Sequence, residues 1–175
     1  GSFFNEVHKS DMRLHLGDGP FMAVMLMLMK LQSEFASINR HYIDYTGHHI
    51  QNRGSMINWS LIGRNADTEG RERFVREDKV RGIRKEMLGA FNERRETYGD
   101  WLTEDKLTVK YGGDTSFDIY PKGWDKTYAL RHFPESENVL FFVGDRCTPN
   151  GNDYELYKHL EPSGRSFITS GPDET

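Results

Sequence analysis

Asp145 and Asp153 flank a turn of Pro149, Asn150, Gly151 and Asn152 that follows closely on the apolar run Val139, Leu140, Phe141, Phe142 and Val143. The run reads as a buried strand, and the carboxyl ends of such strands are where open α/β sheets place ligands and metals. Oxygen ligands gathered there suit Mg²⁺, a hard ion that keeps several waters and bridges to phosphate. The same residues also describe a solvated turn that caps a helix, and spacing alone leaves both readings open.

Three further constellations precede this turn. Arg53 and Arg64 stand at the two ends of a strand-like segment, with Arg71 and Arg73 on the helix expected next. Arginine forks hold phosphate oxygens in pairs, so these side chains are candidates to converge on one phosphate. The alternative is a set of surface arginines paired with Glu69, Glu72 and Glu77. Ser116 and Asp118 share one face of a strand by its period of two, with Phe117 and Ile119 on the other. A hydroxyl beside a carboxylate suits sugar hydroxyls, and it equally suits the polar outer face of a half-exposed strand. Lys126 opens a helix after Gly123, Trp124 and Asp125, where free N–H groups also favour phosphate; a solvated lysine is the plainer account. His48 and His49 have no partner at a zinc spacing and read as surface or strand edge.

The elements that must position these groups change character along the chain. Residues 21–35 are rich in helix formers and follow a Gly-Asp-Gly-Pro start signal at 17–20, so a helix is expected there. A second, long helix is expected over residues 69–95, with Val80, Ile83, Met87 and Phe91 on its inner face. Strands are expected at 49–51, 56–61, 107–111, 115–120, 139–143 and 165–169, and short helices after Gly123 and Gly151. From about residue 14 to 122 this order suits an antiparallel sheet backed by helices, an α+β layer. The last fifty residues read as helix, strand, helix, strand, a parallel α/β unit with too few strands to stand alone.

Composition narrows the field. The chain has 175 residues, a net charge of −4 and a pI near 6.0, which gives no overall attraction to nucleic acid or to an anionic membrane surface. One cysteine, Cys147, excludes an internal disulfide and a multi-cysteine zinc site and fits a reducing compartment. Gly1-Ser2 reads as a tag scar, no signal peptide is apparent, and the Met-rich run at 21–31 is short for a bilayer span, so a cytoplasmic protein is expected.

Taken in order, the four constellations resemble the eukaryotic-type phosphomannomutase family of the haloacid dehalogenase superfamily. The resemblance rests on Arg-Gly-Ser-Met-Ile-Asn-Trp-Ser-Leu-Ile-Gly-Arg at 53–64, Gly-Gly-Asp-Thr-Ser-Phe-Asp-Ile-Tyr-Pro-Lys-Gly-Trp-Asp-Lys at 112–126, Leu-Arg-His at 130–132 and Gly-Asp-Arg-Cys-Thr-Pro-Asn-Gly-Asn-Asp-Tyr-Glu at 144–155. It implies a substrate-binding α+β cap at 14–122. Residues 1–13 and 123–175 would then be part of a Rossmann-like α/β core. It further implies transfer of phosphate between O6 and O1 of mannose through a hexose bisphosphate activator, with Mg²⁺, and a homodimer formed through the cap. Carried over by position, Arg53, Arg64 and Arg71 look like the arginines that hold the substrate's distal phosphate. Ser116 and Asp118 look like the sugar-binding pair, and Asp145, Asn152 and Asp153 look like the metal site. Lys126 looks like the lysine that steadies the transferring phosphoryl group.

Two departures accompany the match. The family's Asp-X-Asp-Gly-Thr segment, whose first Asp attacks phosphate and whose second acts as acid and base, is found nowhere in these 175 residues. His159 and Pro162 stand where an acidic residue and a Thr of a second cation site are expected. The expectation is therefore an enzyme whose nucleophile lies outside these residues, so that the chain alone is inactive. The rival reading is a non-catalytic phosphosugar-binding or interaction module. A sugar-phosphate phosphatase would need the same carboxylates.

Overall fold

The computed structural model describes residues 10–39, 43–149 and 151–171. Asn150 and most of the expected 1–13 segment lie outside the described residues.

A short helix α1, Met12–Leu16, starts at Asp11, whose carboxylate accepts the Leu14 amide at 2.9 Å, and ends at Gly17. Helix α2, Asp18–Asn39, begins three residues before the expected start, because Pro20 falls in the first turn, where its missing N–H has no intrahelical role. Phe21, Val24, Met27, Leu28, Leu31 and Phe35 recur at three- and four-residue spacing and are buried, while Met22, Leu26, Met29 and Ile38 are exposed. By length and composition this 22-residue helix is apolar enough to cross a membrane, the 21–31 run being only half of it. Its inner face nevertheless belongs to the core: Trp59 donates to Gln32 Oε1 at 2.8 Å, and Gln32 donates to the Leu61 carbonyl at 3.0 Å.

Four antiparallel strands lie beneath it in the order β1-β2-β4-β3: β1 Ile50–Asn52, β2 Ile57–Ser60, β3 Leu107–Gly112 and β4 Ser116–Pro121. The β2–β4 register sets Ile57 opposite Ile119 and Trp59 opposite Phe117, all buried against the helices. The same register sets Asn58 opposite Asp118 and Ser60 opposite Ser116 on the other face.

The expected single helix at 69–95 is two, α3 Thr68–Arg81 and α4 Ile83–Glu96, broken at Gly82 with φ 66°. Asp78 stabilises the corner by accepting the Arg84 backbone amide at 2.7 Å and its Nε at 2.6 Å. The break resets the helical phase, so Ile83, Met87 and Phe91 are buried as expected, whereas Val80 points to solvent, 85% exposed.

Toward the C-terminus, β5 Phe142–Gly144 pairs in parallel with β6 Ser166–Ile168, with helix α5 Tyr154–Leu160 between them in sequence. A six-residue 3₁₀ helix, Lys126–Arg131, follows Gly123. The expectation of a buried strand at 139–143 is corrected: Val139 is 74% and Phe141 68% exposed, because among the described residues a two-stranded pair has no layer over that face.

Candidate functional site

The polar face of the four-stranded sheet is held by one buried amide. Asn58 donates from Nδ2 to Asp118 Oδ1 at 2.7 Å and to Ser116 Oγ at 3.1 Å, and its Oδ1 accepts from Arg64 Nη1 at 3.3 Å. Ser116 Oγ in turn donates to the Gly112 carbonyl. Gly112 has no side chain for a reason: a Cβ there would lie 2.7 Å from the Asp118 carboxyl carbon.

Beside this network opens a cavity of about 610 Å³, lined by Arg64, Arg71, Arg76, Thr68, Ser116 and the backbone of the 112–115 turn, among others. Arg71 is aimed by neutral acceptors, the carbonyls of Ala66 at 2.9 Å and Arg64 at 3.0 Å. Among the described residues neither Arg64 nor Arg71 forms an ion pair, although Glu72 and Asp114 also line the cavity. Arg73 instead pairs with Asp44, and Arg76 lies 4.0 Å from Glu72. Arg53 sits in the β1–β2 turn at the far end of β2, exposed, with its Nε 3.3 Å from Gln51 Oε1. The structure thus brings Arg64, Arg71, Ser116 and Asp118 together and leaves Arg53 apart from that cavity.

The acidic turn faces the same side of the sheet. Lys110, opposite Asp118 in the β3–β4 register, reaches Glu155 at 2.9 Å and the Pro149 carbonyl at 3.3 Å, and Arg146 reaches Asp114 at 3.0 Å. Within the turn, Gly151 is held so close to the Arg146 carbonyl that a Cβ would approach it to 1.9 Å. Asp153 is buried and committed: Lys126 donates to Oδ1, and the Arg146 backbone amide donates to Oδ2 at 3.1 Å. Burial alone would raise the Asp153 carboxyl, but these hydrogen bonds outweigh it and hold the group below the ordinary carboxylate value. Burial pushes the neighbouring Cys147 thiol up.

The donor set can be weighed against a cation. The described residues contain no cluster of three His, Cys, Asp or Glu side chains. Asp145 is exposed and its carboxylate has no hydrogen bond or ion pair among the described residues, while Asn152, further along the same turn, is half-buried. One free carboxylate backed by a buried, anchored second one fits a hydrated Mg²⁺ that completes its shell with water and phosphate oxygens.

The sequence matches the family described as eukaryotic phosphomannomutase over residues 4–175, nearly its whole length. The chain belongs to that family. A phosphomannomutase of Arabidopsis thaliana is 39% identical over 170 residues, covering 94% of this chain and 61% of that protein. One from Schizosaccharomyces pombe is 42% identical over 130 residues, covering 74% of this chain and 47% of the relative, and one from Encephalitozoon cuniculi is 43% identical over 131 residues with the same coverage. The chain therefore spans about half to three-fifths of the length of these phosphomannomutases.

Two residues of this candidate site escaped the sequence. Asn58 was visible as a polar residue alternating with Ile57 and Trp59, but its contact with Asp118, sixty residues away, depends on a strand pairing that no local pattern prints. Lys110 likewise gains its role only from standing opposite Asp118.

Proposed function

We propose that these residues form the phosphosugar-binding part of a phosphomannomutase, which interconverts mannose 6-phosphate and mannose 1-phosphate through a hexose bisphosphate. The reading is carried by two guanidinium groups without ion pairs, Arg64 and Arg71, opening on the same cavity as Ser116, whose hydroxyl is tied through Asn58 to Asp118. The arginines would take the phosphate, and Ser116 and Asp118 the sugar hydroxyls. Arg53 is assigned to the same distal phosphate by family resemblance. Residues 14–122 form the cap and 1–13 with 123–175 belong to a Rossmann-like α/β core; the antiparallel sheet and the parallel β5–β6 pair support that division. The proposed enzyme is a cytoplasmic homodimer joined through its caps.

Asp145 and Asn152, with Asp153 behind them, would hold Mg²⁺, which would supply positive charge against the transferring phosphoryl group. Lys126, anchored on Asp153, would place an ammonium beside the same group. The 175 residues hold no Asp-X-Asp-Gly-Thr, so they would bind without supplying the attacking carboxylate.

Calorimetric titration of the purified chain with mannose 6-phosphate tests the reading. Binding is expected, and Arg64→Ala or Arg71→Ala should weaken it by about 1–3 kcal/mol. Unchanged affinity in both variants would refute the arginine assignment.

A further inference from the structure

We propose that Asn58 is a positioning residue that couples the phosphate subsite to the sugar subsite, a role that rests on the phosphosugar reading above. It is 2% exposed, and among the described residues it is the one side chain hydrogen-bonded both to a cavity arginine and to the Ser116–Asp118 pair.

The amide can sit only one way. Turned over, it would press an N–H against the Arg64 guanidinium and a carbonyl oxygen against the Asp118 carboxylate, each a repulsive contact. In the orientation present, its carbonyl, a neutral acceptor, takes one Arg64 hydrogen, and its NH₂ fixes Asp118 through Oδ1 alone. The Ser116 hydroxyl hydrogen is committed to the Gly112 carbonyl, and its oxygen already accepts from Asn58. Asp118 Oδ2 and the remaining Ser116 lone pair are thus turned into acceptors, so the pair takes up sugar hydroxyls that donate. The neighbouring Ser60 hydroxyl, buried and without a partner among the described residues, does not compete for the amide. A neutral group suits this place. A carboxylate would repel Asp118 and pair with Arg64, while an apolar residue would leave a half-buried carboxylate oxygen without its donor.

The test compares the unaltered chain with Asn58→Asp and Asn58→Ala, titrated with inorganic phosphate and with mannose 6-phosphate between about pH 4.5 and pH 7.5, a window that spans the usual carboxyl range. The groups facing position 58 are Asp118 on β4 and Arg64 after β2, with Lys110 on β3 behind Asp118 and itself paired with Glu155. At neutral pH Asn58→Ala should weaken mannose 6-phosphate by about tenfold or more and inorganic phosphate by less than about threefold. Asn58→Asp should weaken both ligands at neutral pH. Relative to the unaltered chain at each pH, it should regain mannose 6-phosphate affinity as the pH falls, because a protonated carboxyl donates where the amide did. A purely structural role would instead weaken the two ligands alike in Asn58→Ala. Equal losses for the two ligands in Asn58→Ala, or no recovery at low pH in Asn58→Asp, overturn the coupling role while leaving the binding site standing. If Asn58→Ala does not fold, the pH profile of the isosteric Asn58→Asp decides alone. Failure of the unaltered chain to bind either ligand overturns the phosphosugar reading and the coupling role together.

Discussion

Gly112→Ala is a small change with a sharply defined consequence. The backbone at Gly112 is ordinary strand, at the end of the outer strand β3, so alanine is not excluded by conformation. The obstacle is one side chain: the new Cβ would fall 2.7 Å from the Asp118 carboxyl carbon and from Oδ1, the oxygen that Asn58 holds at 2.7 Å. Asp118 must swing away and give up that bond. Losing a hydrogen bond to a charged group costs about 1.5–3 kcal/mol, while replacing glycine in a strand by alanine recovers about 0.5–1 kcal/mol. The net expectation is destabilisation of about 1–2 kcal/mol, read as a lower urea midpoint with an unchanged slope. The same substitution in an Asp118→Ala background should be neutral or stabilising by up to about 1 kcal/mol, because the obstacle is gone. If Gly112→Ala costs as much without Asp118 as with it, the close approach is not the cause and the reasoning fails.

Other consequences are as direct. Glu135 accepts hydrogen bonds from His159 at 2.6 Å and Arg165 at 2.8 Å, which hold its carboxyl below the ordinary value of 4.5. Its contribution to stability is therefore complete above that value and lost as the pH falls through the lowered one, so Glu135→Gln should flatten the acid limb of a stability-versus-pH curve. Identical acid limbs would contradict this. At the helix corner, Gly82→Asn should cost less stability than Gly82→Ala, by up to about 1 kcal/mol in chemical denaturation, since asparagine tolerates the left-handed region better. Asp145→Asn should leave the unfolding free energy from urea titration within about 0.5 kcal/mol of the unaltered chain but abolish any Mg²⁺-dependent rise in melting temperature measured with phosphate present. A retained rise would remove Asp145 from the metal site.

The sequence displayed what is local. The alternation of Ser116, Phe117, Asp118 and Ile119 announced a two-faced strand, and the helix formers of α2 announced a helix that Pro20 could open. Long-range effects stayed hidden. Gly82 lay inside a continuous helical pattern, and only the capture of Asp78 by Arg84 turns it into a corner that exposes Val80. The exposure of Phe141 follows from how few strands stand beside β5 among the described residues, which its own apolar run does not encode. Arg64 and Arg71 carried the same sequence signal as Arg73, and only tertiary placement separates the two at the cavity from the one bound to Asp44.

Arg84 gives the helix corner a reach beyond its own stability. Its Nε grips Asp78, its Nη1 donates to the Gly113 carbonyl at 2.8 Å, and its guanidinium lies 4.8 Å from the Tyr111 ring centroid. Gly113 belongs to the turn that forms one wall of the cavity. The corner is thus a strut that sets how high this wall stands. Substitutions at Asp78, Gly82 or Arg84, none in a position to touch a bound sugar, would be felt as a misplaced rim rather than as a missing contact.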